Sequence, residues 1–240
     1  MSNVLKDSSI LLNNNEIKNL LNEIKINWID KCLDNKFKWY PYWANKEIPN
    51  QINKLIKNNL NVFDVRCNFD VYERNKFMNV RTTSKYDQLF YRPKLHYHYF
   101  EYYLNLKKLC REILNKDIIL SQTYPMWYKK YKNINGYMGW HTNHNTPGER
   151  WYFVYNTDNN NSCIRFIHNE KLITHWEPEG WSINNFDVNN ENNPVWHCIY
   201  SKTNRFSFGL KTDIRQSDGE SIDGNLQKIL MSMNYVTNEI

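Results

Sequence analysis

Apolar residues recur three and four apart at Ile17, Leu20, Leu21, Ile24 and Trp28, the repeat of one face of an α-helix. The run Asn13 to Asn15 just before them supplies residues able to cap it. Ile52, Leu55 and Ile56 follow Pro49 with the same spacing, and Tyr103, Leu106, Leu109, Cys110 and Ile113 mark a helix over Phe100 to Leu114. These stripes predict packing surfaces. From Ile118 the pattern shifts to short segments rich in aromatic and β-branched residues: Tyr124 to Tyr131, Arg150 to Tyr155, Cys163 to His168, Leu172 to Trp176, Trp181 to Val188, Val195 to Tyr200 and Phe206 to Lys211. Asn135-Gly136, Asn145 to Gly148 and Asn189 to Pro194 punctuate them, and Asn169-Glu170 predicts a hairpin.

Strands following one another without intervening helices predict an antiparallel sandwich or closed double sheet. The expected fold is therefore α+β and mainly β: a helical N-terminal region over 1–117, a β core over 118–213, and a C-terminal helix and tail over 214–240, with Leu226, Ile229, Leu230 and Met233 on the helix.

Composition changes this picture little. The chain has 240 residues, 41% hydrophobic and 15% aromatic, enough for a packed core. No run of about 18 apolar residues and no secretory leader pattern is present, so a cytoplasmic protein without membrane partners is expected. Five cysteines, Cys32, Cys67, Cys110, Cys163 and Cys198, form no C-x-x-C pair and read as reduced and buried. The net charge of +6 comes from an excess of Lys and Arg in residues 1–112, interleaved with acids as on a solvated surface. Nucleic acid stays open as a partner but has no reading motif to support it.

The candidate chemistry lies in the β-rich half. His141 opens an H-x-N element with Asn143, and His197 is followed at the eighth position by Arg205, in an Arg-x-Ser pair with Ser207. Two neutral imidazoles can hold one divalent metal, and a guanidinium fork can hold a carboxylate beside it. His144, in a turn with Pro147 and Gly148, reads as a lip residue. His96, His98, His168, His175, Asp158 and Asp187 read as structural.

On Gly139-Trp140-His141-Thr142-Asn143, Pro147-Gly148-Glu149-Arg150, the hairpin Cys163 to Trp176, the strand Trp181 to Val188, and Trp196-His197 through Arg205-Phe206-Ser207-Phe208-Gly209, residues 118–213 resemble the 2-oxoglutarate and Fe(II)-dependent oxygenases. Within them the chain looks most like the aspartyl/asparaginyl β-hydroxylase group and related virus-encoded oxygenases. The resemblance implies a double-stranded β-helix (jelly roll), Fe(II) held by His141 and His197, and 2-oxoglutarate anchored by Arg205 with Ser207 and contacted by Arg150. It implies a dioxygenase that uses O2 to hydroxylate a C–H, releasing succinate and carbon dioxide, with Trp127, Trp140, Trp151 and Trp196 offering apolar walls or, for at least two of them, ordinary core.

Asn143 departs from the family, which has Asp or Glu there. A carboxamide is a poorer ligand, so Asn143 is expected to coordinate weakly or to hold a metal-bound water. The two-histidine β-hydroxylase group shows that the change is compatible with activity, and a halide-accepting site also stays open. The implied substrate is a protein or peptide side chain, with a small molecule as the alternative. A degenerate jelly-roll binding module and an oxygenase-fold nucleic-acid-binding protein are the rival readings.

Overall fold

In the N-terminal helices, the Asn14 side chain accepts a hydrogen bond from the backbone N–H of Ile17 (3.0 Å), the cap that the asparagine run predicted. The computed structural model describes residues 4–33, 39–42, 88–93, 97–121, 126–128, 136–141, 148–168, 171–188 and 195–212. The helix expected after Pro49, the C-terminal helix, Asn143 and His144 lie outside them.

The helices are α1 (Ser9–Asn13), α2 (Asn15–Ile24), a π-helical turn (Lys25–Ile29), α3 (Asp30–Leu33) and α4 (Tyr97–Leu114). The strands are β1 (Trp39–Tyr42), β2 (Gln88–Pro93), β3 (Ile118–Leu120), β4 (Met126–Tyr128), β5 (Gly136–His141), β6 (Gly148–Asn156), β7 (Ser162–His168), β8 (Lys171–Glu177), β9 (Gly180–Val188), β10 (Trp196–Ser201) and β11 (Arg205–Thr212). The stretch expected to be helical thus also supplies β1 and β2. Both are aromatic-rich, a composition that suits a pleated surface.

One group of strands runs β4, β11, β6, β9 and a second runs β5, β10, β7, β8; β2 joins them by pairing with both β4 and β5. β1 adds to β2, and β3 to β11. All of these pairings are antiparallel. His168 stands opposite Lys171 where β7 pairs with β8, and Asn169-Glu170, expected to turn the hairpin, lie outside the described residues.

Alternation along β6 and β11 divides their side chains between two faces. Trp151, Phe153, Phe206, Phe208 and Leu210 pack on the helices through Ile17, Leu21, Trp28, Tyr103 and Leu106. Trp28 meets Phe206 and Phe208 at 5.7 and 5.4 Å between ring centres. Each such aromatic removed from water contributes about 1.5–3 kcal/mol. Tyr103 clips α4 to β11, its hydroxyl donating to the Gly209 carbonyl (2.5 Å) and accepting from the Gly209 N–H (3.1 Å). Cys110, Cys163 and Cys198 are buried and in no disulfide, and burial pushes the Cys110 thiol up to about 12.

The other face meets β7 and β10 through Ile164, Phe166, Phe186 and Val188. Val4 and Leu5 pack against this cluster, and Lys6 forms an isolated bridge with Asn185, its N–H donating to the Asn185 carbonyl (2.7 Å). The Lys6 ammonium then reaches Asp187 (2.8 Å) and Glu149 (3.3 Å). Among the described residues no helix is long and apolar enough to cross a membrane.

Candidate functional site

Antiparallel pairing of β10 with β5 puts His197 directly opposite His141. Positions opposed in this way lie on one face of a sheet. The register shifts between His197 and Ile199, an irregularity of the kind that re-aims a side chain. His197 is buried, its ring 5.2 Å edge-to-face from Phe186, and its Nδ1 lies 2.9 Å from the Val195 carbonyl. An Nδ1–H donating there fixes the tautomer whose lone pair is on Nε2, the arrangement that orients a metal-binding imidazole. The His141 side chain lies outside the described residues. Among the described residues no group of three or more His, Cys, Asp or Glu side chains gathers to hold a metal ion.

Arg205 begins β11 on the inner face and is only 1% exposed. Its Nε donates to Glu177 Oε2 and its Nη2 to Glu177 Oε1, both at 2.7 Å, a two-pronged pair of buried ions. Glu177 also accepts from the Ser162 hydroxyl (2.5 Å) and from Asn184 Nδ2 (2.6 Å). Burial alone would push the Glu177 carboxyl up. Arg205, Ser162 and Asn184 outweigh it and hold the carboxyl below the usual glutamate range. The guanidinium lies 5.1 Å from the Tyr128 ring centre. Arg205 Nη1 is buried without a hydrogen-bond partner among the described residues, as is Asn184 Oδ1. A buried orphan donor costs about 1–3 kcal/mol, so Nη1 marks a place where an acceptor belongs.

Toward the other end of the same strands, Lys211 stands opposite Arg150 in the β11·β6 ladder. Both are buried and share the inner face with Arg205 and Ser207 by strand alternation. Tyr152 lies between: burial raises its phenol against the pull of Arg150 and, more weakly, of Arg205. Among the described residues the inner face therefore gathers three buried cations, Arg150, Arg205 and Lys211, against one buried carboxylate, Glu177.

Sequence reasoning missed Glu177, Tyr152 and Lys211. Alternation could have found Glu177, because it puts Ile173, His175 and Glu177 on one face of β8, opposite Trp176. Two of the expected apolar walls stand elsewhere. Trp151 packs on the helices with Lys116 over its ring (5.3 Å), and Trp196 precedes His197 and so takes the opposite face. The side chains of Trp127 and Trp140 lie outside the described residues. His175 is half-buried, and burial lowers its imidazole against the pull of Glu177.

No protein-family model matches the chain, and no curated protein matches it. Among solved structures, the chain is similar to a crystal structure of a Pseudomonas putida prolyl-4-hydroxylase, over 82% of this chain and 98% of that one, at 8% identity and a TM-score of 0.37. A superposition this loose, at this identity, assigns no activity.

Proposed function

We propose that the chain is a 2-oxoglutarate- and Fe(II)-dependent dioxygenase of the jelly-roll, double-stranded β-helix type, hydroxylating a C–H of a protein or peptide side chain or of a small molecule. The observation that carries this reading is the register of His197 on His141, two imidazole-bearing positions facing each other from strands distant in sequence. The strand orders β4-β11-β6-β9 and β5-β10-β7-β8 support the jelly roll, since each group interleaves early and late strands as two Greek keys do.

The residues fit the groups implied. His197, oriented by Val195, would bind the metal through Nε2 together with His141, and Asn143 would be a weak third contact or hold a water. The buried Arg205 Nη1 would meet the far carboxylate of 2-oxoglutarate, with Ser207 two residues on along the same face. Arg150 and Lys211 complete the positive lining that favours a dianion. Phe166, Phe186 and Val188 keep water from the His197 end. Bound there, Fe(II), O2 and 2-oxoglutarate would supply the oxidation of a substrate C–H to an alcohol, with succinate and carbon dioxide released.

Anaerobic addition of Fe(II) and 2-oxoglutarate is expected to give the chelate's charge-transfer absorption in the wild type and to lose it in His141→Ala and in His197→Ala. A band that survives both substitutions sinks the assignment of these positions as ligands.

A further inference from the structure

The seam between β8 and β9 carries an inference that rests on the reading of His197 as a metal-binding position and concerns how ligands reach it. Only Pro178 and Glu179 separate the two strands, yet they stand at opposite ends of the strand order, so they part from that turn into different groups. The seam is therefore widest toward Lys171 and Val188. At that level Ile173, Phe166, His197 and His141 oppose one another in turn across β8, β7, β10 and β5, which sets the four on one face. Ile173 is 37% exposed, so this row reaches the surface at its β8 end.

The chain's own N-terminal segment lies along the β9 side of the seam. Lys6 bridges Asn185 antiparallel, so Leu5 and Val4 run on beside Phe186 and Asp187. Both pack on the cluster of Ile164, Phe166, Phe186 and Val188, and thereby back the Phe186 ring that meets His197 at 5.2 Å. The contacts described for residues 4–6 are few: one backbone hydrogen bond (2.7 Å), two half-buried apolar side chains, and the ion pairs of Lys6 with Asp187 (2.8 Å) and Glu149 (3.3 Å). Beyond them the chain is fixed, because Asp7 accepts from the Ser9 N–H (2.8 Å) and Leu11 of α1 is fully buried. An ion pair as exposed as that of Lys6 with Asp187 shifts an equilibrium by about fivefold at most. Lifting residues 4–6 from a pivot at Asp7 therefore takes far less than unfolding. We propose that residues 4–6 are a strap on the seam, latched by Lys6 between Glu149 and Asp187, whose release opens the way to His197.

The test compares the wild type with Lys6→Ala and Lys6→Arg as full chains. Hydrogen exchange of the residue-6 amide reads the strap itself, and the rate at which the charge-transfer band forms on anaerobic mixing with Fe(II) and 2-oxoglutarate reads entry. Lys6→Ala is expected to speed both by the same factor, roughly fivefold, and to leave the final height of the band unchanged. Lys6→Arg is expected to restore both rates. Raising salt from about 0.01 M to about 1 M, which shortens the screening length from about 30 to about 3 Å, should speed exchange in the wild type and leave it nearly unmoved in Lys6→Ala. Unchanged exchange in Lys6→Ala, or faster exchange without faster band formation, overturns the proposal while leaving the oxygenase reading intact. A band that forms in none of the three proteins overturns that reading and this proposal with it.

Discussion

The two faces of β6 and β11 are built from alternate residues of the same strands, yet they solve opposite problems. Outward, Trp151, Phe153, Phe206, Phe208 and Leu210 meet helices and make an apolar layer, with the Tyr103 clip on the Gly209 backbone. Inward, Arg150, Tyr152, Asn156, Arg205, Ser207 and Lys211 place charge and hydrogen-bonding groups where water is largely excluded. The outer layer is stabilised by the area it hides from water. The inner face is a liability that becomes tolerable only through pairing, which Glu177 provides at one end. Stability and chemistry are thus separated by one step along the chain.

The sharpest way to break this division is to damage the outer face and watch the inner one. Phe208→Ala, at the contact of Trp28, Tyr103 and Trp181, should cost about 3–5 kcal/mol in denaturant unfolding, without changing the affinity of whatever protein remains folded for 2-oxoglutarate. Lost affinity in the folded fraction would mean that the faces are not independent.

A smaller effect probes the inner face through pH. Because the Glu177 carboxyl is held below its ordinary value of 4.5, the folded state binds its proton later than the unfolded chain does. Its stabilising share is whole above that value and is lost as pH falls through the depressed one. Glu177→Gln should cost about 1–3 kcal/mol at neutral pH and flatten the acid limb below pH 4.5 in unfolding followed by circular dichroism. An unchanged acid limb would show that the network contributes nothing through its charge.

The smallest effect sharpens the comparison at its one point of crossover. Tyr103→Phe removes the hydroxyl from Gly209 and should cost about 1 kcal/mol in thermal unfolding, with the charge-transfer band unaltered.

Much of this architecture was legible in the chain. The alternating strands from Arg150 to Lys211 and the capped helix at Ile17 follow from local chemistry, because each displays its period in full. β5 was not, since Asn135-Gly136 reads as a turn and Gly139 interrupts the alternation. β2 was hidden in a region whose sequence pattern reads as helical, and its partners, β4 and β5, lie far along the sequence. His141 and His197 stand out by residue type, whereas Glu177 sits at a strand end before Pro178-Glu179-Gly180, where a carboxylate usually means solvent. Its partner Arg205 belongs to a strand that no local pattern connects to it.

The bridge between Lys6 and Asn185 sets a condition on how the molecule assembles. Residues 4–6 can take up their place only once β9 exists, so their docking is expected late in folding, after a long loop has been closed at an entropic cost. The hydrophobic cluster behind His197 would be the last part of the interior to be roofed over.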